Sequence, residues 1–439
     1  MPYINFEKIR EQLKQQAGAR DAGIESGIEG TIETVSAPGG SPEVEPEDDI
    51  SEGERDALYD ALQALSDRKS EVQAAGGDPE ILHVVDDETA SLLQSFTDED
   101  LSSVQARPYT LDGREVAYDS HDLSGWIKSF STWRRGKGRH EWIDTPGPPV
   151  RIPNQARIAV LGDWGTGRYG AVTCAQTIMR APLAYDVLVH LGDVYYSGTR
   201  DEVKRNFLDL WPFVPGATHR ACNSNHEMYA GGFGYFELTL PRFGQQASFF
   251  CLENDYFRII GLDTGYQEGD LAGSQASWVQ NLVAGAGNRK VVLLTHHQPF
   301  SLKEKQYTKL VKKLRSLLEQ RRIFAWYWGH EHRCVVHDRH ETWGLYGRCI
   351  GHSGYPYFRD RFSEQPAKVN HVDDSCWYRV RKDGVPDGLM LDGSNADIPE
   401  KADKYGPNGF AHLELTPGGI IERILSADGK ILLESRLSG

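Results

Sequence analysis

After residue 150, five short stretches each set a potential metal ligand just beyond an apolar run. They are LGDWG with Asp163, LGDVYY with Asp193 and Tyr196, SNHE with Asn225 and His226, LLTHHQP with His296 and His297, and WGHEH with His330 and His332. Carboxylate, amide and imidazole donors together suit iron, manganese or zinc, whereas calcium and magnesium prefer an all-oxygen cage. The donors outnumber what one ion needs. His330 and His332, one residue apart, would face opposite sides of an extended strand, yet at a turned strand end they can reach two adjacent ions. The pattern therefore favours a pair of ions bridged by a carboxylate. Such a pair lowers the pKa of water from about 16 to about 7. That is on the order of 12 kcal/mol toward a bridging hydroxide nucleophile at neutral pH. The same charges neutralise a phosphoryl group and orient it for in-line attack.

The elements that must position these side chains are also visible. Ile158–Leu161, Val187–Leu191, Val291–Leu294 and Ile323–Tyr327 are short apolar runs of the kind that form buried strands. Helical spacing recurs between them over 171–181, 200–211, 274–283 and 304–320, which predicts an α/β domain with mixed sheets. Side chains at the C-terminal ends of neighbouring strands in such a domain converge on one crevice. Near the end, Gly409–Leu415 and Gly419–Leu437 read as antiparallel strands, with Asp428-Gly429 supplying a tight turn. The catalytic domain is expected over 151–439. Residues 1–150 form a mainly helical accessory region, with helical spacing over 5–20 and 53–75 (Leu58, Leu62, Leu65) and an acidic Pro/Gly linker near 35–55. A Trp-rich stretch around Trp126, Trp133 and Trp142 follows and ends at the breaker TPGPPVRIP.

Composition narrows the partners. A formal charge of −15 gains little from the counterion release that drives general nucleic-acid binding, and an anionic membrane surface repels it, so a small-molecule substrate is expected. The opening residues carry charges throughout and no long apolar stretch; neither a secretory signal nor a spanning helix is expected, and the chain reads as cytoplasmic. The six cysteines lie far apart with no CxxC pair, which predicts buried free thiols.

GDWG, GDVYYSG, NHE, THHQPFS and GHEH, in that order, resemble the motif set of the calcineurin-like metallophosphoesterases, and most of all the purple acid phosphatase branch, whose GDxxY tyrosine is matched by Tyr196. The resemblance covers roughly residues 157–352 and the terminal strands. It implies a four-layer α/β/β/α sandwich and hydrolysis of a phosphate ester, with a phosphomonoesterase expected, a phosphodiesterase as the alternative and a non-catalytic metal-binding scaffold as the remote one. It also implies one metal on Asp163, Asp193, Tyr196 and His332 and a second on Asp193, Asn225, His296 and His330, iron paired with iron, manganese or zinc. His226 would contact the substrate phosphate and help the leaving group depart.

Two departures stand out. Ser224 replaces the glycine that usually precedes Asn-His, which restricts the backbone there. After the strand, ungapped alignment makes His296 the ligand and keeps Ser301 in register, while an HxP pattern would take His297. Where small purple acid phosphatases carry a further histidine, this chain has SLKEKQY, so leaving-group protonation would rest on His226 alone or use Lys303. Gly165–Gly170 satisfies GxGxxG after a strand and would suit a dinucleotide, but Asp163 would then face the pyrophosphate and the histidine motifs would have no purpose. The basic cluster Arg134, Arg135, Lys137 and Arg139 reads as solvated surface, with substrate steering or docking of the N-terminal region as the alternative.

Overall fold

The computed structural model describes residues 52–77, 85–102, 109–111, 114–116, 130–131, 134–181, 185–359, 368–372 and 374–438. The helix expected over 5–20, most of the acidic stretch near 35–55, and Trp126 and Trp133 lie outside them. The chain forms two compact units, one of Met1–Val72 with His83–Gly136 and the other of Gln73–Leu82 with Lys137–Gly439. In the first, α1 (Glu52–Ala74) buries Leu58, Leu62 and Leu65 at helical spacing, α2 (Glu88–Ser102) buries Leu92, Leu93 and Phe96, and β1 (Tyr109–Leu111) pairs with β2 (Arg114–Val116).

In the second unit, a ten-stranded and a six-stranded sheet lie within the same body. The smaller runs β18 (Ile431–Ser438), β17 (Gly419–Ser426), β16 (Gly409–Thr416), β4 (Arg157–Leu161), β5 (Val187–His190) and β6 (Thr218–Ala221). The larger runs β13 (Lys368–Val372), β14 (Ser375–Lys382), β15 (Val385–Asp392), β11 (Cys334–Arg339), β12 (Tyr346–Ile350), β10 (Ile323–Trp328), β9 (Lys290–Thr295), β8 (Phe257–Gly261), β7 (Phe250–Glu253) and β3 (Val150–Arg151). Both are mixed: β4, β5 and β6 are parallel, as are β8, β9, β10 and β12, while the terminal strands are antiparallel.

Strand alternation builds the layers. Ile158, Val160, Val187 and Val189 point into a core shared with Ile259, Val292, Leu294 and Tyr327 of the facing sheet. Their neighbours Ala159, Leu161 and Leu188 point outward onto α3 (Gly170–Arg180) through Ala171, Cys174 and Ile178. On the other side Val291, Leu293, Trp326 and Trp328 pack against α4 (Gln275–Ala284) and α5 (Thr308–Glu319). Helix α5 buries Leu310, Val311, Leu314, Leu317 and Leu318 and turns its lysines outward. The result is the α/β/β/α order expected. The hairpin of β14 and β15 was not anticipated, because its partly exposed sequence SCWYRVRK lacks a long apolar run. All six cysteines are buried free thiols. Among the described residues no helix is long and apolar enough to cross a membrane.

Candidate metal centre

The C-terminal ends of β4, β5, β6, β9 and β10 meet at one place. Asp163 follows β4, Asp193 follows β5, Asn225 and His226 follow β6, His296 follows β9, and His330 and His332 follow β10. Four of these residues sit in the left-handed region that L side chains rarely occupy: Asp163 at φ 55°, Asp193 at 77°, His330 at 70° and His332 at 48°. Such strain costs on the order of 1–3 kcal/mol per residue and persists at functional sites. The cradle is tight. A Cβ on Gly351 would stand 2.1 Å from Asp163 Oδ2, and Gly192, at φ 104°, would bring one within 2.8 Å of His296 Nδ1.

His296 Nδ1 donates to the Leu191 carbonyl at 2.9 Å, which leaves its Nε2 facing inward. That Nε2 lies 3.2 Å from Asp193 Oδ1, 3.1 Å from Asn225 Oδ1 and 3.1 Å from His330 Nδ1. The Asn225 amide nitrogen donates to the Tyr229 hydroxyl at 2.9 Å, which aims its oxygen at this point. His330 Nε2 meets the Tyr307 hydroxyl at 3.1 Å. On the other side, Asp163 Oδ1 accepts the His330 N–H at 2.9 Å and His332 Nε2 lies 3.6 Å from Asp193 Oδ2. Donor atoms of Asp163, Asp193 and His296 fall within 4.8 Å of one another, as do those of His296, His297 and His330.

These residues fit metal ions. Asp163 Oδ2 and Asp193 Oδ1 are buried with no hydrogen-bond partner. Burial and the Asp193 charge push the Asp163 carboxyl well up, and two carboxylates in a dry site are stable as anions together only beside a cation. His297 stands apart from the carboxylates: its Nδ1 meets the Thr264 hydroxyl at 3.0 Å and its ring lies 4.5 Å from Tyr307.

The phenol inside the cluster is that of Tyr195. Its hydroxyl donates to Asp193 Oδ2 at 2.8 Å and meets His332 Nε2. Tyr196, the GDxxY residue, contributes its main chain: its N–H donates to Glu202 Oε1 at 2.6 Å and its carbonyl accepts from His226 Nδ1 at 2.6 Å. The Glu202 carboxylate also takes the N–H groups of Ser197 and Thr199, so the turn is pinned with Tyr195 directed inward.

Ser224 needs no glycine-like backbone. At φ −126° it is the N-cap of α6 (Asn225–Tyr229), its hydroxyl accepting the N–H of His226 at 3.1 Å and donating to Glu227. Glu227, missed from the sequence, accepts the Asp193 N–H at 3.2 Å; burial and the Asp193 charge push its carboxyl up to about 8. Glu331 was missed too. It holds Ser301 and the Trp328 indole N–H, and Ser301 in turn accepts the N–H groups of Lys303 and Glu304. From the SLKEKQY stretch the residue that meets the cluster is Tyr307, with the Lys305 ammonium 5.2 Å over its ring.

The glycine-rich loop at 165–170 is not open to a pyrophosphate. Gly165 bonds Asp193 and Tyr195 through its main chain, and a Cβ on Gly167 would stand 2.0 Å from the Asn206 carbonyl. Of the basic cluster, Lys137 donates to the Tyr229 carbonyl at the end of α6 and Arg139 to the Tyr266 carbonyl, so these two pack within the second unit, which resumes at Lys137, before the composition change near 150, whereas Arg135 pairs with Glu54 in the first unit at 3.5 Å.

Residues 156–334 match the calcineurin-like phosphoesterase family. The chain is 24% identical over 322 residues to tartrate-resistant acid phosphatase type 5 of Sus scrofa, covering 64% of this chain and 86% of that one. A purple acid phosphatase from yellow lupin, Lupinus luteus, aligns at 13% identity and TM-score 0.47 over 65% of this chain, and the aligned part spans only 55% of the lupin enzyme. GAP50, described as the anchor in the inner membrane complex of Plasmodium, aligns at 14% identity and TM-score 0.46, covering 65% of this chain and 89% of that one. The family match takes in every strand-end donor from Asp163 to His332, and this segment of the chain is similar to the calcineurin-like phosphoesterases, hydrolases acting on phosphoric esters.

Proposed function

We propose that the chain is a two-metal phosphomonoesterase of the purple acid phosphatase kind, acting on a small phosphate ester. The observation that carries this is the two-sided use of Asp193. Its Oδ1 faces His296, which converges with Asn225 and His330, and its Oδ2 faces Tyr195 and His332 beside Asp163. Iron with iron, manganese or zinc suits this mixture of oxygen and imidazole donors. When bound, such ions supply a nucleophile at neutral pH and neutralise phosphoryl charge. The protein's own part is orientation and proton handling. The Leu191 carbonyl holds the proton of His296 on Nδ1, and the Tyr229 hydroxyl turns the Asn225 oxygen inward. His226, buried between the rings of Tyr195 and Tyr229, keeps its Nδ1 proton on the Tyr196 carbonyl, so Nε2 is the atom left to face the substrate phosphate, and when the ring carries a second proton there it can pass that proton to the leaving oxygen.

The test is initial rates on a chromogenic phosphate monoester and its matching diester, with iron, manganese or zinc restored. The proposal expects monoester preference and a loss of about 10²–10⁴-fold in kcat for His226→Ala. Diester preference would assign a phosphodiesterase, and absence of turnover in metal-loaded protein would count against an enzyme of either kind.

A further inference from the structure

Three arginines are buried among the described residues: Arg220, Arg258 and Arg348. Two have carboxylate partners, Arg258 with Glu253 at 2.6 Å and Arg348 with Glu422 at 2.7 Å. Arg220 has none among the described residues. Its Nη1 donates to the carbonyls of His219 at 2.7 Å and Phe243 at 3.2 Å, and its guanidinium carbon stands 5.9 Å from the Phe250 ring. Arg220 as a residue is 7% exposed, and its guanidinium, held by carbonyls and no carboxylate among the described residues, carries a desolvation cost that a bound anion would help to offset. Burial pulls its pKa down with no acid to counter it.

Arg220 lines a cavity of about 150 Å³ between the edge strand β6 and strands β7 and β3. Phe249, Phe250, Cys251 and Val150 supply apolar wall, and Gln246 stands at its exposed side. A cavity of about this size holds a benzene-sized molecule. One fixed guanidinium matches one negative charge, and its planar fork suits a carboxylate. A phosphate dianion would bring a second charge against apolar walls with no second cation to meet it.

We propose that this cavity binds a small organic carboxylate, its charged end on the Arg220 guanidinium and its apolar body against Phe249, Phe250 and Cys251. The site is separate from the metal centre, although β6, which carries Arg220, leads directly into Asn225 and His226.

The probe is benzoate, titrated by calorimetry into the full-length, metal-loaded protein with inorganic phosphate saturating the metal centre, so that binding is read without turnover. The expected dissociation constant is on the order of 1 mM, as suits a fragment of this size. Arg220→Gln is expected to weaken it at least about tenfold. Because Arg220 is buried, that variant can fail to fold; Gln246→Glu, at an exposed position, places a competing carboxylate at the mouth and is expected to weaken benzoate by a similar factor. Absence of benzoate binding by the wild-type protein, or equal affinity in folded Arg220→Gln or in Gln246→Glu, would overturn the proposal.

Discussion

Asp193 joins the two halves of the cluster through its two carboxylate oxygens, and the residue beside its Oδ2 is a phenol. If that phenol ligates ferric iron, it gives the loaded protein visible colour. Tyr195→Phe is expected to abolish the visible absorption band of iron-loaded protein, while Tyr196→Phe keeps it; the reverse pattern would return the role to Tyr196. The sequence carried most of this neighbourhood plainly, because Asp163, Asp193, Asn225, His296, His330 and His332 each follow a strand or its turn. It did not show which of two adjacent tyrosines faces inward, since that depends on Glu202 gripping the N–H groups of Tyr196, Ser197 and Thr199. Glu227 was hidden for a similar reason: an acid in the first turn of a helix is common for electrostatic reasons alone.

Helix α6 has only five residues, too few to persist by itself, yet it carries Asn225 and His226. It is held at both ends. Ser224 caps its first N–H groups, and Lys137 takes the Tyr229 carbonyl at its last turn. Ser224→Ala is expected to lower stability by about 1 kcal/mol, and Ser224→Gly to have a smaller effect, measured by denaturant unfolding of metal-free protein. Equal stability of Ser224→Ala and wild type would remove the capping role. Motif comparison treats this serine as a departure, because it compares residue types; the physical requirement is an extended backbone with an acceptor oxygen, which serine meets. The strap from Lys137 was not legible either, since a run of basic residues looks like solvated surface until its partner carbonyls are known.

The two sheets are joined by more than apolar packing. Glu422 of β17 accepts the Arg348 Nε–H from β12 at 2.7 Å and the Tyr327 hydroxyl from β10 at 2.7 Å, all three residues being buried. Glu422→Ala leaves a buried guanidinium unpaired and is expected to cost about 3–5 kcal/mol in global unfolding. A change under about 1 kcal/mol would show that the sandwich does not depend on this latch. The layer order followed from strands whose alternate residues are all apolar, which requires cover on both faces. The β14–β15 hairpin gave no such signal, because its side chains are partly exposed. The number of metal ions held where the strand ends of the two sheets meet decides whether the centre is dinuclear, and elemental analysis of loaded and desalted protein counts them directly. Two ions per wild-type chain and about one in His296→Ala are expected; a wild-type chain that retains one ion or none would contradict a dinuclear centre.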